Sequence, residues 1–215
     1  MFRKTTAEPP PRQESGDTGS AATVQQSQLF ATLTERLEPE QPLSVLDIGP
    51  GVAATLEFFS AYRCRLQFAD LFDLLPMAAT EEGLTEEQKQ QQLQQQFTEA
   101  LALPADARFD LILFWDLFNY LDSSALAALS QALQPHLHKG SRGHGFVQRD
   151  RQKTPPDYGY GVRSENSFTI KPCTRQGLQK HCHAQASVER QLQGFTIQRG
   201  VLMLDGRLEF VLHAC

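Results

Sequence analysis

Two rhythms of apolar positions run along this chain. From Val24 the apolar side chains Leu29, Phe30, Leu33 and Leu37 keep the three- and four-residue spacing of one helical face, and Pro42 ends the run. Ser44 to Asp47 then reads as a short apolar strand that breaks into the turn Ile48-Gly49-Pro50-Gly51-Val52. Ala53 to Ala61 resumes helical spacing, with Leu56, Phe58 and Phe59 available to pack on a sheet. Arg65 to Asp70 is a second strand. Thr80 to Gln96, rich in Glu and Gln, predicts a largely exposed helix with a thin apolar stripe. Phe97 to Leu101 is either a third strand or the continuation of that helix.

Phe109 to Asp116 is an apolar run of the kind buried on both faces of a parallel sheet, and it predicts the fourth strand. Asp122-Ser123-Ser124 caps a helix over Ala125 to His136, which Lys139-Gly140 ends. Gly145 to Gln148 is the fifth strand. Arg149 to Glu165 reads as a long loop with its own aromatics, Tyr158 and Tyr160, more in keeping with a lid than a linker. Ser167 to Ile170 adds a short strand and Thr174 to Gln193 a helix. Phe195 to Leu204 turns through Asp205-Gly206 into Arg207 to Leu212, a strong hairpin pattern.

The turn after the first strand carries the chemistry. Gly49 and Gly51 present no Cβ, so the backbone bends sharply and approaches a ligand closely, and a helix start follows with free amides. Asp47 decides between ligands: a carboxylate at that place repels a pyrophosphate and attracts an ammonium group. Leu46-Asp47-Ile48-Gly49-Pro50-Gly51 resembles the first motif of the class I S-adenosylmethionine-dependent methyltransferases, with Ala53 where that pattern has a third glycine. The resemblance runs over roughly residues 24 to 215. It implies an α/β fold with a Rossmann-like, mostly parallel seven-stranded sheet flanked by helices and finished by a C-terminal antiparallel hairpin. It also implies S-adenosylmethionine as cofactor, with Asp47, Gly49 and Gly51 at the methionine end.

Asp70, at the tip of the second strand, stands where such folds place the acid that binds the ribose hydroxyls, with Asp73 as a neighbouring competitor. The segment Asp116 to Leu121 is similar to the one that family lays across the sulfonium and the acceptor. Asp116, Asn119 and Tyr120 are therefore the candidate catalytic residues, Asp116 also touching the cofactor, with Tyr158 and Tyr160 as lid residues. Arg149, Arg151, Lys153 and Arg163 suit either an acidic acceptor or a solvated face. His144 and His181 are candidate general bases without a placement.

Composition narrows the rest. The net charge is −5 and no basic stripe is visible, so no nucleic-acid partner is indicated. The cysteines, Cys64, Cys173, Cys182 and Cys215, lack metal-site spacing, and His181-Cys182-His183 alone does not make one, so no metal is expected. Residues 1–22, with prolines at 9, 10 and 11, are expected to be a disordered tail on a single methyltransferase-like domain over 23–215. No apolar run is long enough to span a bilayer, and a cytoplasmic enzyme acting on a small molecule or a protein side chain is expected. The other class of reading is a non-catalytic relative that senses the cofactor or binds a partner.

Overall fold

The computed structural model describes residues 22–77, 83–153 and 156–215. The tail expected over 1–22 lies, but for its last residue, outside the described residues. The chain runs through β1 (Thr23–Gln26), α1 (Phe30–Thr34), β2 (Leu43–Asp47), α2 (Ala53–Phe59), β3 (Cys64–Phe68) and α3 (Glu86–Leu101). It continues with β4 (Leu111–Trp115), α4 (Ser123–Leu133), β5 (Arg142–Gln148), β6 (Asp157–Ser164), β7 (Ser167–Cys173), α5 (Gln185–Gln191), β8 (Phe195–Leu202) and β9 (Arg207–Ala214). No helix of the described residues is long and apolar enough to cross a membrane.

The central sheet has the order β3-β2-β4-β5-β9-β8. Its first four strands are parallel, and β9 and β8 close it as an antiparallel pair. Every residue of β4 is buried, as a strand covered on both faces requires. Its side chains alternate: Ile112 and Phe114 join the core under α3 and α4, whereas Leu111, Leu113 and Trp115 face the opposite cluster with Phe30 and Phe168. Among the described residues the sheet holds six strands, not the seven expected. The missing strand would be Phe97 to Leu101, which instead continues α3, because Leu93, Phe97 and Leu101 recur every fourth residue and form its buried stripe.

A second, three-stranded antiparallel sheet of order β1-β7-β6 accounts for most other departures from expectation. Residues 23 to 26 pair with β7 and leave only Phe30 to Thr34 as the first helix. The second half of the lid expected over Arg149 to Glu165 is β6, whose hydrogen bonding to β7 gives it regular structure. This small sheet lies over the start of α2. Val162 donates its backbone N–H to Thr55 Oγ1 at 3.1 Å, and a Cβ on Gly161 would come within 2.6 Å of Val52, so only glycine permits the approach. The helix expected over Thr174 to Gln193 shrinks to α5, and Leu56, expected to pack inward, is 51% exposed.

Two buried polar clusters fasten the small sheet to the large one. Arg207 of β9 donates to Tyr160 Oη at 2.8 Å, to Gln25 Oε1 at 2.7 Å and to Asp205 Oδ2 at 2.8 Å. Glu209 accepts from Ser27 Oγ, and its Oε1 lies 2.8 Å from His144 Nε2. Burial works to raise the Glu209 carboxyl, but His144 and Ser27 outweigh it and hold the group below the usual glutamate range.

Candidate active site

Asp47 ends β2 and is fully buried. Trp115, the last residue of the neighbouring β4, donates its indole Nε1–H to Asp47 Oδ1 at 2.5 Å. The other oxygen, Oδ2, is buried without a hydrogen-bond partner. Burial pushes the Asp47 carboxyl up to about 7, with the indole bond pulling it down and Asp70 pushing it slightly further up. Such a buried acid is half satisfied and suits a cation.

Trp115 itself adopts φ +51°, a left-handed backbone that costs a bulky residue on the order of 1–3 kcal/mol. That backbone lays the indole on the glycine turn: a Cβ on Gly49 would sit 3.1 Å from Trp115 Cδ1. The indole also stacks on Tyr160 at 5.3 Å and 8°, with Phe168 edge-on at 5.4 Å. Gly51 is backed in the same manner by the Phe68 ring, 3.3 Å from where a Cβ would be.

A crevice of about 450 Å³ opens beside this turn, outside the carboxyl ends of β2 and β3, where open α/β sheets bind their ligands. Pro50, Asp70, Phe72, Asp73, Gly159 and Arg175 line it. The Asp70 carboxylate accepts the Phe72 backbone N–H at 3.1 Å, and burial holds its carboxyl above the ordinary aspartate value. The Arg175 guanidinium lies 3.4 Å above the Phe72 ring, donates to Asp116 Oδ1 at 3.0 Å and to the Tyr158 carbonyl at 2.8 Å.

Asp116 and Tyr120 come together behind that guanidinium. Burial raises the Asp116 carboxyl while Arg175 works against it. Tyr120 Oη donates to Asp157 Oδ1 at 2.7 Å, and burial together with Asp116 lifts its phenol far above the ordinary tyrosine range. Lys180 Nζ reaches the same Asp157 oxygen at 2.7 Å, so Asp157 titrates below its usual range despite its burial. Asn119 is placed differently: its buried Oδ1 accepts the Gln148 backbone N–H at 2.6 Å, joining the turn after β4 to the end of β5.

The remaining sequence candidates do not gather here. Tyr160 is buried against Trp115 rather than poised over an opening. Arg149, Arg151, Lys153 and Arg163 are exposed, and none lines the crevice. His144 is sealed beneath Phe168 and bound to Glu209. The His181 ring stacks on His183, whose Nε2 faces the carbonyls of Phe118 and Leu121. Sequence reasoning passed over Trp115, Phe72, Asp157, Arg175 and Arg207. Only Trp115 carried a signal, as the one tryptophan, beside Asp116 at the end of a buried strand.

A family model described as a methyltransferase domain matches residues 23–152, more than half of the chain. The chain belongs to that family. No curated protein matches the sequence. Among solved structures, the pyocyanin biosynthetic protein PhzM is similar at 14% identity and TM-score 0.46 over 86% of this chain. This chain spans about half of PhzM, 54% of its length. The 1,6-didemethyltoxoflavin-N1-methyltransferase of Burkholderia thailandensis is similar at 18% identity and TM-score 0.49, over 86% of this chain and 76% of that one. The glycopeptide N-methyltransferase MtfA follows at 12% identity and TM-score 0.43, over 86% and 94%. The assignment rests on the family match.

The methyl donor S-adenosylmethionine finds suitable residues in this methyltransferase-family chain. Asp47 Oδ2 is an orphaned buried oxygen whose chemistry suits an ammonium group, and Asp70 lines the open crevice beside the same turn. Between the two, the face of the glycine turn is covered by the Trp115 indole.

Proposed function

We propose that this methyltransferase holds S-adenosylmethionine between Asp47 and Asp70 and methylates a small molecule or a protein side chain at the crevice. The observation that carries the reading is the unpartnered oxygen of Asp47, a buried acid beside a glycine turn whose neighbouring crevice ends in a second acid. When bound, the donor supplies an already activated methyl group, so the chain's work is positioning and exclusion of water.

Asp47 takes the ligand's ammonium, Asp70 its ribose, and Gly49 and Gly51 leave the turn without side chains of their own. Asp116 and Tyr120 form the acceptor side, held in place by Arg175 and Asp157. Tyr120, kept protonated by its surroundings, orients a nucleophile by hydrogen bonding rather than by removing its proton. Asn119 contributes by fixing the turn that carries Tyr120.

The test is a parallel calorimetric titration with S-adenosylmethionine, S-adenosylhomocysteine and NAD. Micromolar binding of the first two and none of the third is expected. Absence of all three would favour a non-catalytic, partner-binding relative.

A further inference from the structure

The indole of Trp115 does something that neither strand packing nor the family match requires. It sits between the glycine turn and Tyr160, and its N–H occupies one oxygen of the acid on which the methionine end of the donor depends. The backbone that holds it there is left-handed, a conformation that bulky residues adopt only when their surroundings enforce it. The crevice reaches this contact from one side through Pro50 of the same turn, and from the other through Gly159, next to Tyr160. Neither the indole nor Asp47 lines that open volume.

We propose that Trp115 is a specificity-determining residue of the donor site: its indole N–H stands in for a ligand ammonium on Asp47, and only a ligand that brings that cation displaces the ring. A nucleoside without the amino-acid end then binds the Asp70 side of the crevice and leaves the indole stacked on Tyr160. A ligand with it replaces a neutral donor by a charged one, which also reaches the oxygen that now has no partner. The ring is released from its left-handed tether, and the space over Gly49 opens for the ligand. This inference rests on the donor assignment above, and the test separates the two.

Because the chain contains a single tryptophan, the emission of the full-length protein excited at the indole's long-wavelength edge, beyond tyrosine absorption, reports this ring alone. S-adenosylhomocysteine and 5′-methylthioadenosine, which share the thioether nucleoside and differ in the amino-acid end, are titrated by fluorescence and by calorimetry. Saturation with the first is expected to shift the emission of an indole now only 2% exposed, and saturation with the second to leave it unchanged. Trp115→Phe keeps a ring against Tyr160 and has no N–H. It is expected to bind S-adenosylhomocysteine about tenfold more tightly than the wild type, and 5′-methylthioadenosine equally well.

Binding of S-adenosylhomocysteine to Trp115→Phe alone would support the inference in its strongest form. Calorimetric binding to the wild type with unchanged emission would overturn it and leave the donor assignment standing. So would an emission shift with both ligands, or weaker binding by the folded Phe variant. No binding by either protein would remove the donor assignment and the inference together.

Discussion

Trp115 and Asp47 meet across the ends of two adjacent parallel strands, with the indole nitrogen 2.5 Å from one carboxylate oxygen and nothing on the other. The pair joins the end of β2, where the glycine turn begins, to the end of β4, and it ties that contact to the proton on one acid.

Asp47 titrates at about 7 in the folded chain, raised by burial from the roughly 3.9 of an unfolded aspartate. The native state holds the extra proton, so this contribution to stability is complete below about pH 4 and is lost as the pH rises through 7. Asp47→Asn, neutral throughout, is expected to be more stable than the wild type by a margin that grows over that interval and levels off above it. The plateau is on the order of 4 kcal/mol. Thermal melts at intervals from pH 4 to 8 check this, and a constant margin would show that Asp47 is not the responsible group.

The same proton must leave before an ammonium group is received. S-adenosylhomocysteine is therefore expected to bind about tenfold more tightly at pH 8 than at pH 6, with the change centred near 7 and abolished in Asp47→Asn. Calorimetry in buffers of differing ionisation enthalpy would also register the released proton.

Asp70 lines the crevice, and the proposed donor site gives it the ribose. Asp70→Ala is expected to weaken binding of S-adenosylhomocysteine and of 5′-methylthioadenosine alike, each by about tenfold, without altering the emission of the free protein. Unchanged affinity for both would move the ribose contact to Asp73, which lines the same crevice.

Arg175 and Asp116 form a buried ion pair, their side chains 9% and 4% exposed. Arg175→Met leaves a carboxylate buried without its partner and is expected to cost about 3–5 kcal/mol, with much of it recovered in the double variant carrying Asp116→Asn. Urea denaturation of the wild type, the two single variants and the double variant measures the coupling.

How far the sequence foretells this arrangement depends on the range of the interactions. The turn after β2, the apolar β4 and the Asp205-Gly206 hairpin are set by neighbours in sequence and stand where the pattern predicts. Phe97 to Leu101 was ambiguous because five apolar-rich residues fit either period; Leu93 at the matching fourth-residue spacing decides for helix. Tyr158-Gly159-Tyr160-Gly161 reads as loop because glycine weakens a strand, yet Gly161 is there so that β6 can rest on Val52. Arg175 has no local signature at all. Its importance comes from Phe72 and Asp116, which only the folded chain brings beneath it.

The pairing of β1 with β7 has a consequence for the order of assembly. Thr23 finds its partner at Ile170, so β1 cannot join the small sheet, nor can the local β6–β7 hairpin settle on Thr55 of α2, until most of the chain is available, whereas β2 and β3 pair through a short crossover. Loop-closure entropy makes such distant contacts late ones. Pulse-labelled hydrogen exchange during refolding is expected to protect the amides of β2, β3 and β4 before those of β1. The glycine turn would then spend the early part of every folding event uncovered, and a donor molecule present at that moment would meet the site before its roof is built.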